Sequence, residues 1–246
     1  MEPPSVPPWS PYCGAGPGPG DWLTRWNFDP LLIAVLIAGL AASLALQHGA
    51  QRRWGLAAIA VLALSFVSPL CALSSALFSA RTVHHVLLVA VAAPLIAASL
   101  PAQRRSHLAA ATLVQAAVFW SWHAPAAYSL ALSSGAAYWL MQLSLLGSAT
   151  WFWLALRSVS APAAVAGLLI AMVAMGLLGA LITFAGQPLY APHLATTAVW
   201  GLSPLEDQQA AGLIMWAPAS AIYLTVALIV LGRWIGPGRR VEAPAA

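Results

Sequence analysis

Seven long apolar runs, separated by short connections that hold most of the arginines, constrain this chain more than any other feature. Their approximate limits are 30–46, 54–73, 83–101, 108–124, 137–157, 162–184 and 207–232. A helix rises about 1.5 Å per residue, so most of these runs reach across a hydrocarbon core roughly 30 Å thick. The first and fourth are the shortest. Only 7% of the 246 residues are charged, whereas a water-soluble domain carries about 25%. The lipid bilayer is therefore the expected solvent. The expected fold class is all-α: a polytopic membrane helix bundle of about seven transmembrane helices.

Orientation follows from the arginines. Arg52, Arg53, Arg104, Arg105, Arg157, Arg233, Arg239 and Arg240 fall in the odd-numbered connections and the C-terminal tail. Arg25 and Arg81 fall in the N-terminal tail and the even-numbered connections. Cytoplasmic loops accumulate basic residues, so the N-terminus is expected outside and the C-terminus inside. The expected setting is the bacterial inner (cytoplasmic) membrane, crossed several times. Three parts follow. Residues 1–29 form a Pro/Gly-rich outer tail without the basic start and apolar core of a cleaved signal peptide. Its Trp9, Trp22 and Trp26 suit a membrane interface. Residues 30–232 form the seven-helix membrane domain, and 233–246 a short basic cytoplasmic tail.

The residue inventory excludes several functions. All ten basic residues are arginine, with no basic block interleaved with aromatics, so nucleic acid is not an expected partner. Without lysine there is no retinal-type Schiff base, and no Walker-type loop is present. The span centres are nearly free of ionisable groups, which argues against a proton-coupled transporter. They carry no nucleophile–base or carboxylate pair either, so an enzyme is not expected.

The predicted topology gathers Cys13, Cys71, His84, His85, His123, His193 and Met215 at or near the outer face. Only His48 and His107 sit with the cytoplasmic arginines. Thiol, thioether and imidazole suit copper, although no tight C-x-x-C or H-x-x-x-H spacing accompanies them. Blander roles compete. A histidine at a span end often meets only a water or a carbonyl. His84 and His85 are about 100° apart on a helix and cannot face its centre equally. Cys13 and Cys71 read as inert thiols, a disulfide or a metal-binding pair, and Met215 as packing.

Two stretches carry local signals. In Ser203-Pro204-Leu205-Glu206-Asp207-Gln208-Gln209, Ser203 and Glu206 have capping-box spacing and Pro204 suits the first helical position. Asp207 falls where the helix dipole is positive. Gln208 and Gln209 offer a polar surface to a partner or metal, and Gly212 permits a close helix crossing. In Trp122-His123-Ala124-Pro125-Ala126-Ala127-Tyr128, Pro125 is expected to end the fourth span, with Trp122 and Tyr128 in an aromatic belt.

These stretches resemble the seven-span CtaG family of cytochrome c oxidase assembly proteins. The resemblance runs from Trp26-Asn27-Phe28-Asp29-Pro30 to the last helix. Its most specific pieces are Trp122-His123-x-Pro125-x-x-Tyr128, Pro188-Leu189-Tyr190 and the block from Gly201 to Pro218. The chain also departs from that pattern. The family's Ser-Ala-His-Met-x-x-His reads Ser79-Ala80-Arg81-Thr82-Val83-His84-His85 here, and a family pair of histidines in the fifth span falls on Tyr138 and Gln142. The resemblance implies a role in maturing a haem–copper oxidase, with cytochrome c oxidase subunits and a periplasmic copper carrier as partners. With that role, an outer vestibule of spans two, three, four and seven is expected to hold Cu(I), or to dock the protein that carries it. His85 and His123 would be its first ligands, with His84, Cys71 and Met215 as supplements. A scaffold that holds oxidase subunits without metal is the nearest alternative, and a copper or small-molecule transporter the next.

Overall fold

A computed structural model describes residues 9–102 and 107–236. Helices occupy all seven apolar runs, and no strand occurs among the described residues. They are α1 (Pro30–Leu46), α2 (Gly49–Phe66), α3 (Leu70–Ala76), α4 (Phe78–Ser99), α5 (Leu108–His123), α6 (Pro125–Ser133), α7 (Gly135–Leu156), α8 (Ala161–Thr183) and α9 (Pro204–Ile235). Arg104, Arg105, Arg239 and Arg240 lie outside the described residues.

By length and composition α4, α7, α8 and α9 are able to cross a membrane, and α2 with α3 makes a fifth if that pair, bent by 43°, is one span. The helices α1 and α5, with 17 and 16 residues, are shorter. At 1.5 Å per residue each extends only about 25 Å. Large apolar side chains are exposed along the bundle exterior, among them Leu31, Val35, Leu143, Ile170, Val173, Leu177 and Leu228. Such a surface needs lipid rather than water around it. The chain is thus a multi-pass membrane protein by the character of its helices.

Several boundaries differ from those read off the hydropathy. The second run does not continue to residue 73 as one helix. It breaks at Val67-Ser68-Pro69, because the proline ring has no N–H to continue the ladder. The third helix begins at Phe78 rather than 83, which takes Arg81 out of the connection and into the helix. The fourth run does end where Pro125 requires: α5 stops at His123, Ala124 is extended, and Pro125 opens α6.

Helix α4 is the hub, packed against α2, α7 and α9, while α1 lies outermost against α2. Its buried face is small, with Ala90, Ala92, Ala93 and Ala97, which lets neighbours approach closely. One turn, Leu87–Ala92, widens to a π-helix, and the Val89 carbonyl there accepts a hydrogen bond from the Trp153 indole at 2.9 Å. Helices α8 and α9 cross through glycine. A Cβ on Gly212 would stand 2.6 Å from the Gly179 carbonyl oxygen and 2.7 Å from the Thr183 nitrogen. Gly212→Ala is therefore expected to cost about 1–3 kcal/mol by overpacking, seen as a lower thermal midpoint in detergent. Gly147→Ala, where nothing lies within 4 Å of the added methyl, is expected to leave the midpoint unchanged.

Candidate metal centre at the polar end of the bundle

The C-terminal ends of α3, α5 and α8 meet the N-terminal ends of α4, α7 and α9 at one end of the bundle, under the N-terminal segment and the 184–203 connection. Almost every buried polar side chain with chemical capacity is found there. They divide into a set that is fully bonded and a set that is not.

The bonded set is built from the residues of the two signature stretches. Ser203 and Glu206 form the predicted capping box, with Glu206 N–H to Ser203 Oγ at 3.2 Å and Ser203 N–H to the Glu206 carboxylate at 2.8 Å. Asp207 does something the local sequence does not announce. Its carboxylate caps the neighbouring helix α4, accepting from Phe78 N–H at 2.6 Å, Ser79 N–H at 3.2 Å and the Ser79 hydroxyl. It thereby satisfies orphan donors of a helix N-terminus 128 residues away in sequence. The Gln208 carbonyl oxygen accepts from Leu189 N–H at 2.6 Å, and its amide donates to the Ile182 and Gln187 carbonyls at 3.3 Å. Gln208 thus staples the 184–203 connection to α8. Gln209 is half-buried beside it.

Tyr128 donates its hydroxyl to His193 Nε2 at 2.6 Å, because His193 Nδ1 faces the Ala76 carbonyl at 3.2 Å and must carry the proton. Burial pushes the His193 imidazole down to about 3 and the Tyr128 phenol above its usual range. His193 is therefore a neutral structural bridge. Tyr190 donates to the His123 carbonyl at 2.8 Å, and the Trp122 indole to Ser144 Oγ at 2.8 Å. Trp122, Pro125, Tyr128, Asp207 and Gln208 thus hold the frame.

The unbonded set lies inside that frame. His85 and His123 face each other edge to plane with ring centroids 5.4 Å apart, and His84 is 5.9 Å from His85. All three are buried. Neither nitrogen of His84 or His85 makes a hydrogen bond of ordinary geometry, nor does His123 Nε2. His123 Nδ1 lies 2.7 Å from the Phe119 carbonyl and so carries the proton, leaving a bare lone pair on Nε2. That is the tautomer a metal-ligating histidine adopts, with its second nitrogen steadied by a carbonyl. The two adjacent histidines diverge as their 100° spacing demands: His85 turns to His123, while His84 packs edge-on against Phe66 of α2 at 4.9 Å.

Arg81 stands beside them, fully buried. Its Nε donates to the Ser74 carbonyl at 3.2 Å, and its guanidinium lies over the Tyr138 ring at 5.3 Å. The terminal nitrogens make no hydrogen bond of ordinary geometry. The ion pair found among the described residues, Arg25–Asp21, lies on the exposed N-terminal segment. Gln142 on α7 is also buried with an unbonded amide. Arg81, Tyr138 and Gln142 were read from the sequence only as departures from a pattern, and Arg81 as a loop charge. The signal that places Arg81 is its spacing: residues 81, 84 and 85 are three and four apart and share one helix face.

Two other expected ligands are used differently. Cys71 is fully buried and disulfide-bonded to Cys13, with Cα atoms 5.4 Å apart. In that state its sulfur is no thiolate donor. Met215 is buried in a π-turn of α9, packed where that helix crosses Gly179 of α8. No group of three or more His, Cys, Asp or Glu side chains is arranged around a common point among the described residues. The centre is a two-imidazole face with a third imidazole behind it, drawn from α4 and α5 with α2 and α7 around it.

A sequence model of the cytochrome c oxidase caa3 assembly factors, Caa3_CtaG, matches residues 45–236. The chain belongs to that family. No curated protein and no solved structure matches it. The region matched to Caa3_CtaG contains the histidines, Arg81, Tyr138, Gln142 and all of the bonded frame, but not Cys13 or the segment around it. Within this Caa3_CtaG chain, Asp207→Ala leaves the Phe78 and Ser79 amides buried without an acceptor. It is expected to cost about 1–3 kcal/mol or more, measured as a lower thermal midpoint, while Asp207→Asn, which keeps one acceptor, is expected to lose less.

Proposed function

We propose that this cytochrome c oxidase assembly factor presents Cu(I) from the His85–His123 face, or receives it there, during maturation of an oxidase copper centre. The observation that carries the reading is the pair of buried imidazoles, 5.4 Å apart, with unbonded ring nitrogens, held by a frame in which Tyr128, Tyr190, His193, Asp207 and Gln208 are hydrogen-bonded. Buried polar atoms without partners are rare, and each calls for a water, an ion or a ligand. Imidazole suits copper, and the site offers too few ligands for the four-coordinate shell of structural zinc. Arg81 adds a positive charge nearby, which penalises a divalent ion more than a monovalent one. His84 lies behind His85, 5.9 Å from it between ring centroids, and turns to Phe66 instead.

In this reading the chain has seven spans, with α1 and α5 as the short ones, its N-terminus outside and its C-terminus inside. The asymmetry of the loop arginines supports the orientation. The Cys13–Cys71 disulfide supports it independently, since such bonds persist in the periplasm and not in the cytosol. Copper is then met on the side where the polar end faces. The partners are the oxidase subunit that takes the metal and a periplasmic copper carrier.

In cells lacking the protein, oxidase copper content and activity are expected to fall, with partial recovery on added copper. Complementation with wild type is expected to restore both, whereas a His85→Ala/His123→Ala chain restores at least about tenfold less. Full recovery with that variant, at equal protein level, would discard the copper role and favour a metal-free scaffold for oxidase subunits.

A further inference from the structure

The three imidazoles are buried, and the outer layer over His84 is a segment of unusual construction. Residues 9–29 contain no regular structure beyond one 3-10 turn, Trp22–Thr24, yet they close over the polar end of the bundle. Tyr12 stacks on Tyr138 at 5.0 Å, and Tyr138 in turn covers Arg81. Tyr12 also meets Trp139 edge-on at 5.1 Å; Trp139 stacks on Phe66 at 5.3 Å, and Phe66 touches His84. The segment is thus the outer layer of a two-layer aromatic roof, and Arg81 and His84 lie directly beneath it. The Cys13 sulfur is 3.5 Å from the Tyr138 hydroxyl, so the covalent tie is set into the same roof.

Besides this bond the roof segment is held by ring contacts, by the close approach of Gly16 to Ala76 and by a few hydrogen bonds. Ser10 donates to the Ser133 carbonyl at 3.0 Å, and the Trp200 indole donates to the Pro17 carbonyl at 3.0 Å. Farther along, Asn27 is tied to the Phe66 and Val67 carbonyls just before α1 begins. Asn27 is therefore a fixed point, and the disulfide is the one covalent tie of the described stretch before it. Buried imidazoles that are meant to exchange a metal need a way in, and the N-terminal segment is the layer of the enclosure that a chemical step can release.

We propose that the Cys13–Cys71 disulfide is a redox latch, closing the N-terminal segment over the His84/His85/His123 centre when oxidised and releasing it when reduced by an external dithiol. The exchange begins at Cys13, which is half-buried, whereas Cys71 is fully enclosed. A thiolate of the dithiol attacks the Cys13 sulfur, and the bond to Cys71 breaks. Cys71 leaves as a thiolate and takes up a proton. The second thiol of the reductant displaces Cys13 from the mixed disulfide, so the chain gains two electrons and two protons and the reductant becomes a disulfide. The latch regulates the copper centre proposed above and rests on that reading for its purpose, though its mechanics do not depend on metal.

The test uses the full-length protein in detergent and measures carbethoxylation of each histidine by diethyl pyrocarbonate, read by peptide mass spectrometry. His48 and His107 are exposed in this structure and serve as internal standards. In the oxidised protein His84, His85 and His123 are expected to react at least roughly tenfold more slowly than the standards. After treatment with dithiothreitol and capping of the thiols with iodoacetamide they are expected to react at least about threefold faster than in the oxidised protein, His84 most of all. Cys13→Ser is expected to match the reduced state without reductant, and the capped wild type supplies the open state if that variant fails to fold. Protection that is the same with and without the disulfide would overturn the latch. Copper analysis of the same samples separates the two proposals. Redox-dependent labelling with no copper retained keeps the latch and removes the metal role, while copper retained with redox-independent labelling does the reverse.

Discussion

Burial of polar groups at one end of an apolar bundle is the constraint on which the rest of this structure depends. In such surroundings each unpartnered nitrogen or oxygen costs on the order of 1–3 kcal/mol, so a fold that concentrates them must bond them or use them. Here both happen side by side. Asp207, Gln208, His193 and Tyr190 bond to backbone groups of distant elements, and Tyr128 bonds to the His193 imidazole. His84, His85 and the outer nitrogen of His123 do not.

The first group explains how the second is positioned. Asp207 fixes the start of α4 to the start of α9, and α4 carries Arg81, His84 and His85 within its first two turns. Tyr190 holds the carbonyl of His123 at the end of α5, while Phe119 orients the imidazole of that same residue. The Gly179–Gly212 crossing brings α8 and α9 near enough for the Gln208 amide to reach the end of α8. The residues of the two stretches that carry local sequence signals are thus largely the frame, and the imidazoles are what the frame holds. A rigid first layer supported by a bonded second one is the arrangement that metal sites require.

Features governed by local chemistry were legible in the sequence. The Ser203–Glu206 capping box, the end of α5 ahead of Pro125 and the helical character of all seven runs are each set by neighbours in the chain, while Gly212 announces a close crossing without naming its partner, Gly179. Features governed by distant partners were not. Asp207 looked like a dipole residue of its own helix because its true partners, Phe78 and Ser79, lie more than a hundred positions away. Arg81 was counted with loop charges because hydropathy dropped before residue 83, although the backbone was already helical. Cys13 and Cys71 left three readings open, since pairing depends on Cα separation and not on spacing in sequence. Cys71 and Met215 carried soft donor atoms, but one is consumed by a disulfide and the other by a helix crossing.

Copper K-edge absorption of the purified protein loaded with Cu(I) tests the central claim, that His85 and His123 form one ligand face, most directly. The expected spectrum is a reduced-copper edge with a first shell of nitrogen alone and the outer-shell scattering of two imidazoles, one of which disappears in His123→Ala. A sulfur shell would contradict it, as would copper whose environment is unchanged by loss of His123.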